Sequence, residues 1–201
     1  MRALFLRAFT FVALALALVA SQAPRVWAQA PGQRSLAVAV EPVTPTIIES
    51  LLATPNLVLV ADYYRIDMRF GPNMRLDAII VEAIDSRTRV KGVRVQVRDP
   101  ESRSRQEGTS FIDFDELAKL SRGLGAMAEL AEKWTQDDRQ ATELSFTTVG
   151  GFRLAIRQSA RVPRAYLSTG LIDPVITSIG VLELPTLKQA FDQALAILNS
   201  K

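Results

Sequence analysis

The chain has 201 residues, of which 48% are apolar and 22% charged, and it contains neither cysteine nor histidine. Without cysteine there is no disulfide to stabilise the fold, so a hydrophobic core must do so. Without histidine, the chain excludes histidine-ligated metal sites, Ser-His-Asp and Cys-His catalysis, and proton transfer by an imidazole.

Residues 1–28 have the three parts of a secretory signal peptide. Two arginines come first, an uncharged apolar run follows from Ala8 to Ala20, and Val26-Trp27-Ala28 matches the pattern that precedes signal cleavage. The apolar run is shorter than the roughly 20 residues that a membrane-spanning helix needs. We therefore expect an exported protein, periplasmic or extracellular, whose mature chain begins at Gln29 and has no transmembrane segment.

Export changes the charge of the protein. The whole chain has 24 basic and 21 acidic residues, and three of the arginines but none of the acids fall in residues 1–28. The mature protein therefore has 21 residues of each sign and no net charge. Because a nucleic-acid-binding domain needs a basic surface in its mature form, nucleic acid is not an expected partner.

Residues 29–56 predict a linker that ends in a short helix. Prolines and a glycine disfavour regular structure in its first part. From Thr46 to Ala53 apolar residues recur at helical spacing, with Pro45 near the start and Pro55 beyond the end. The helix is expected to be the first regular element of the mature chain.

Residues 57–113 predict four antiparallel strands with one buried face. Apolar and polar side chains alternate from Tyr64 to Phe70, as in a strand with one wet face. An apolar run at Leu57–Ala61 precedes this strand, and a polar loop at Asp99–Gly108 comes before the last one. The three later strands are expected at 76–84, 90–98 and 110–113.

A long amphipathic helix follows and ends at Trp134. Its apolar residues recur at steps of three and four, at Leu117, Leu120, Leu124, Met127, Ala128, Ala131 and Trp134. Asp113 and Glu116 have the spacing of a capping box, in which each side chain bonds to a backbone N–H at the helix start. Gly123 lies at the margin of the apolar stripe and predicts a close packing contact, since a helical glycine otherwise costs about 1 kcal/mol relative to alanine.

The second half repeats this order. After a polar hinge at 135–141, strands are expected at 143–148, 152–158, 164–169 and 176–184, and a helix at 185–199. Sliding the chain by seventy positions aligns Asp113 with Glu183 and Leu117 with Leu187. The sequence therefore predicts an α+β domain of antiparallel sheets with packed helices. It is built from an internal repeat of four strands plus one helix, at 57–134 and 142–201, with both repeats in one compact domain.

Two resemblances follow from these observations. The two units of four strands and a helix, over residues 62–199, resemble the Whirly and PC4-like single-strand-binding arrangement. The sequence at Thr109–Leu117 is similar to that of exported bacterial proteins with no assigned function. The chain carries no specific binding motif of the Whirly or PC4-like fold, and export with zero net charge argues against its nucleic-acid role. A shared fold does not by itself determine a function.

Arginines at outward strand positions are the candidate binding residues, because guanidinium groups bind carboxylates and phosphates with two parallel hydrogen bonds. An anionic ligand is expected to contact Arg65, Arg69, Arg94, Arg98, Arg153 and Arg157, and Arg75 and Arg164 belong to the same set. The alternative is an ordinary solvated sheet face in which these arginines pair with Asp67, Asp77 and Glu82. Tyr63 is the one aromatic residue expected to be exposed.

The acidic residues form no recognisable catalytic or metal-binding motif. Asp113, Asp115 and Glu116 lack the glycine and alternating ligands of an EF-hand loop, and capping accounts for two of them. A pair of carboxylates for acid/base catalysis remains open among Asp67, Asp77, Glu82, Asp173 and Glu183, since sequence spacing does not give their separation. No catalytic residue, metal ligand or cofactor is assigned.

The sequence thus favours a non-catalytic binding or assembly module of the bacterial cell envelope. Two alternatives remain. One is a binder of an anionic polymer or ligand on an arginine-lined sheet face, and the other is a carboxylate-dependent hydrolase.

Overall fold

The computed structural model describes residues 44–67, 73–100, 106–136, 139–160 and 162–201. Sheet 1 contains β1 (Leu59–Ile66), β2 (Met74–Ala83), β3 (Thr88–Arg98) and β4 (Glu107–Asp113), and sheet 2 contains β5 (Arg139–Thr147), β6 (Arg153–Ala160), β7 (Val162–Thr169) and β8 (Val175–Ile179). Neighbouring strands are antiparallel, in chain order. The helices are α1 (Ile47–Leu52), α2 (Phe114–Trp134) and α3 (Leu184–Ser200), and a 3₁₀ turn at Val181–Glu183 precedes α3. The predicted α+β class with two four-stranded antiparallel sheets is confirmed.

Both sheets contribute one face to a common hydrophobic core. Alternate residues of each strand point inward, such as Leu76 in β2 and Leu154 in β6, and both are fully buried. Helices α2 and α3 pack against each other, α3 lies on β1, β2 and β3, and α2 contacts β3, β4, β5 and β6. Gly123 confirms its predicted packing contact, because a Cβ there would lie 2.9 Å from Cδ2 of Phe146. The core therefore joins the two sheets through the two long helices.

The two units are similar in the positions that the sequence aligned. Asp113 and Glu183 are the N-cap residues of α2 and α3. One turn later, Leu117 and Leu187 are both buried in the core. Each unit is an antiparallel meander of four strands that continues into a helix, which is the doubled arrangement that the seventy-residue shift predicts.

Helix α1 covers part of the outer face of sheet 1. Ile48 packs there against Ile79 and Val81. It fits because β3 has Gly92 beneath it, where a Cβ would lie 2.4 Å from the Ile48 Cδ1 atom and 2.2 Å from a backbone oxygen. A short helix of this kind gains its stability from such tertiary packing.

The carboxylate of Asp113 stabilises α1. Its oxygens accept hydrogen bonds from the backbone N–H groups of Ile47 at 2.7 Å and Ile48 at 3.2 Å. The expectation that Asp113 caps its own helix is wrong, since it makes no side-chain bond to α2. The reason is that the N-terminus of α1 lies over Asp113 and offers two N–H donors that have no partner within the helix.

Several boundaries differ from the sequence analysis. β4 begins at Glu107, inside the polar loop expected at 99–108. β8 ends at Ile179, although a strand is expected to continue to 184, because the Glu183 carboxylate accepts from the N–H of Gly180 at 2.6 Å and closes a 3₁₀ turn. β5 begins at Arg139, inside the expected hinge. The expected signal peptide lies outside the described residues, and the domain boundaries stay predictions. No helix in the described ranges is long and apolar enough to cross a membrane.

Replacing Leu124 with alanine tests the core around α2. Leu124 is fully buried, so we expect the free energy of unfolding to fall by about 2 to 5 kcal/mol in denaturant titration. The matched control is Leu182→Ala, because Leu182 is 94% exposed and its loss should leave stability within about 0.5 kcal/mol. Equal effects of the two substitutions would contradict the assignment of the core.

Candidate functional site

The candidate arginines among the described residues lie on the outer faces of the two sheets. The outer face of sheet 1 is partly covered by α1. The helices reach sheet 2 from its inner side, where Gly123 of α2 faces Phe146 of β5. Within the described ranges, no helix covers the outer face of sheet 2, and its residues Arg157, Arg164 and Ser178 are exposed.

The centre of the outer face of sheet 1 is a buried ion-pair cluster around Asp77. The Asp77 side chain is fully buried, and its carboxylate accepts from Nη2 of Arg94 at 2.8 Å and from Nε of Arg75 at 3.1 Å. The guanidinium of Arg94 also lies over the ring of Tyr63, 4.1 Å from its centroid. Arg94, a candidate from the sequence, therefore contacts both Asp77 and the ring of Tyr63.

The rest of this face carries weaker pairs. Arg98 contacts Glu107 at 3.3 Å, and both side chains are about half exposed. Arg65 lies opposite Asp77 in the β1–β2 register and has no ion-pair or hydrogen-bond partner among the described residues. Arg65, Arg75, Arg98 and Glu107 line a hollow of about 270 Å³. Arg69 lies outside the described residues.

The outer face of sheet 2 has fewer acids for its arginines. Glu143 of β5 contacts both Arg157, at 2.7 Å from Nε, and the guanidinium of Arg153. The hydrogen bond from Arg157, helped by the charges of both arginines, lowers the pKa of Glu143 below its ordinary value although some desolvation opposes this. Glu143 is thus ionised at neutral pH and is shared between two cations.

Arg164 adds a third cation to this face. It lies directly opposite Arg157 in the β6–β7 register, and no described acid contacts it. Like charges directly opposite each other destabilise a sheet. Arg157, Arg164, Val162 and Tyr166 line a concavity of about 610 Å³, together with Ala141, Thr142, Glu143, Gln158 and Ser159. The arginine pair is therefore open to solvent and only partly neutralised.

The structure separates the five predicted site residues that it describes into two groups. Arg65, Arg94 and Arg98 belong to sheet 1, while Arg153 and Arg157 belong to sheet 2, where Glu143 brings them together. Arg164 completes the cation pair, and the sequence placed it in the wider arginine set but not among the six predicted site residues. The alternation of β7 places Arg164 outward, but only the strand register shows that it faces Arg157.

The acids near the start of α2 have structural partners. Asp113 accepts from the N-terminus of α1, and Oε1 of Glu116 accepts from the N–H of Val149 in the β5–β6 turn at 3.1 Å. Burial raises the pKa of Glu116 above its ordinary value, against the lowering effect of that hydrogen bond. Both carboxylates thus tie separate parts of the chain together.

Replacing Asp77 with asparagine tests the buried cluster. The substitution leaves two guanidinium groups beside a neutral side chain, so we expect stability to fall by the order of 3 kcal/mol in a denaturant titration at neutral pH. Glu107→Gln is the matched control, since its pair with Arg98 is half exposed and should be worth less than about 1 kcal/mol. A loss at Asp77 as small as that at Glu107 would contradict a structural role for the cluster.

Comparison with known proteins gives a likeness of arrangement only. No family model matches the chain, and no curated protein matches it. Among solved structures, WHY1 from Arabidopsis thaliana matches with 13% sequence identity and a TM-score of 0.31, over 68% of this chain and 91% of that chain. The likeness is a distant one to the Whirly fold, with two four-stranded antiparallel sheets and helices.

Proposed function

We propose that the protein is an exported, non-catalytic binding module that holds an anionic ligand on the outer face of sheet 2. The observation that carries this proposal is the cross-strand pair of Arg157 and Arg164, with Glu143 as the one described acid in contact with either. An anion placed between the two guanidinium groups would remove their repulsion. Relief of the repulsion between Arg157 and Arg164 would therefore contribute to the free energy of binding.

The chemistry of the face fits carboxylate, sulfate or phosphate groups. Each guanidinium offers a planar set of donors that two oxygens of such a group accept at once. Arg153 lies four residues before Arg157 on the same strand and the same face, about 13 Å away at the rise of a β-strand. A ligand with several negative charges would therefore contact all three arginines.

Sheet 2 suits this role better than sheet 1. On both faces an arginine lies over a tyrosine ring, Arg94 at 4.1 Å from the Tyr63 centroid and Arg157 at 5.6 Å from that of Tyr166, but on sheet 1 the buried Asp77 also holds two arginines. On sheet 2 the acceptor is the partly exposed Glu143, and an exposed ion pair is worth at most about 1 kcal/mol. A ligand would displace Glu143 at little cost, whereas displacing Asp77 would leave a buried charge without a partner.

The proposal assigns binding to this face and no catalysis. Glu143 is the acid nearest the concavity, and its lowered pKa makes it a poor proton donor or acceptor at neutral pH. In the free protein, Glu143 holds the guanidinium groups of Arg153 and Arg157 in place. The hydrolase alternative has no supporting observation here.

Retention on heparin tests the ligand class. At about 150 mM salt we expect Arg157→Ala and Arg164→Ala each to elute earlier than the unaltered protein, because contacts to anions are salt-dependent. Glu143→Gln should elute later, since it frees two arginines. Arg89→Ala is the control, because it removes the same charge from the far end of sheet 1. Elution of all four variants at the same salt concentration would refute the proposal.

Export is tested separately by cell fractionation. In a bacterial host we expect the full chain to be recovered from the periplasm or medium with Gln29 as its first residue, because residues 1–28 have the form of a cleaved signal. Substituting Ala28 with a bulky residue should leave uncleaved precursor. Recovery of the intact chain in the cytosol would contradict export without bearing on the ligand.

A further inference from the structure

The outer face of sheet 2 also exposes large apolar side chains. Ile172 is 86% exposed and lies in the β7–β8 turn with Leu171, while Val149 lies in the β5–β6 turn. On the strands, Val162 and Ile176 are more than half exposed. Turn tips normally carry small polar residues, so isoleucine and leucine there need an explanation.

The two apolar turns lie side by side at one end of sheet 2. In an antiparallel meander alternate turns lie at the same end of the strands, so the β5–β6 and β7–β8 turns are at the same end of sheet 2. Gly151 brings them into contact, since a Cβ on it would lie 2.6 Å from Cγ of Leu171, and its φ of 76° suits glycine. The exposed apolar side chains of these two adjacent turns, Val149, Leu171 and Ile172, are called the apolar tip below, and the backbone of the β5–β6 turn itself packs against Phe111.

The arginines begin directly behind this tip. Arg153 is the first residue of β6 after the turn, and it lies opposite Ser168, which itself pairs with Ile176. Arg157 and Arg164 follow farther from the tip. The face thus has an apolar end and a cationic body, on a sheet that no described helix covers.

We propose that this face docks on the surface of an anionic lipid bilayer. The outer face of sheet 2 lies along the bilayer surface, so that Arg153, Arg157 and Arg164 contact headgroup phosphates, and the apolar tip at its end enters the boundary between headgroups and acyl chains. This inference rests on the proposed function and identifies the anion as the phosphate of a lipid headgroup. A single apolar or electrostatic signal gives only marginal membrane binding, and two together give stable binding. This face carries both.

The acids near the tip set the depth of docking. Asp173 follows Ile172, and Glu116 is tied to the N–H of Val149. Both belong at headgroup level, because a charge is costly in hydrocarbon. Only the tips of the two turns therefore enter the apolar region, and the arginines remain beside the phosphates.

Co-sedimentation with vesicles tests this proposal. The probes are vesicles of phosphatidylcholine alone and of phosphatidylcholine mixed with phosphatidylglycerol. We expect binding to the mixed vesicles, and roughly tenfold weaker binding for Ile172→Asp. The matched control is Leu182→Asp, which places the same charge at a position that is 94% exposed but lies beyond the other end of β8. All chains share the same N-terminal residues, so differences between them report on the tip.

The outcomes separate this inference from the proposed function. Equal binding of Ile172→Asp and Leu182→Asp, equal binding to neutral and anionic vesicles, or no vesicle binding at all overturns docking on an anionic bilayer. Self-association that Ile172→Asp abolishes, without vesicle binding, assigns the tip to a second copy of the chain instead. If the heparin dependence on Arg157 and Arg164 survives any of these results, the anion-binding function stands. Unchanged melting temperatures confirm that both variants fold.

Discussion

One-sided burial of the two sheets is the constraint on which the rest of the structure depends. Side chains alternate across each strand, and the inward ones of both sheets join α2 and α3 in one core. An unpaired guanidinium at an inward position would be costly, so the arginines stand outward. The strands that carry them are held by the same core. The proposed binding face is therefore held in place by the core.

The arginines on the outer faces of the two sheets have different acidic partners. On sheet 1, Asp77 is enclosed with two arginines, and breaking that cluster leaves buried charges without partners. On sheet 2, Glu143 remains partly exposed and serves two arginines, while Arg164 has no described partner. The arginines that contact the buried Asp77 are thus part of the fold, whereas those beside the partly exposed Glu143 are the ones proposed to bind a ligand. Residue type alone does not distinguish the two groups.

The elements that bury one face could be predicted from the sequence, whereas long-range contacts could not. Periodicity located α2 and the strands around Leu76 and Leu154, because burial imposes the pattern. The partners of Asp113 lie 65 and 66 positions away, and local spacing pointed instead to its own helix. The pair of Arg157 and Arg164 depends on the β6–β7 register, which residue types do not specify. The sequence therefore named both arginines as outward candidates but did not show that they face each other.

In the proposed docking, the two kinds of side chain on sheet 2 would act at different distances from a membrane. Charges attract over a Debye length of about 8 Å at physiological salt, so the arginines would orient the face before contact. The apolar tip contributes only after water has been displaced, since the hydrophobic effect follows the area removed from water. Ile172, at the end of a turn, is the side chain placed to reach that region first. Attraction by the arginines followed by burial of the tip would make docking both selective for anionic lipid and reversible by salt.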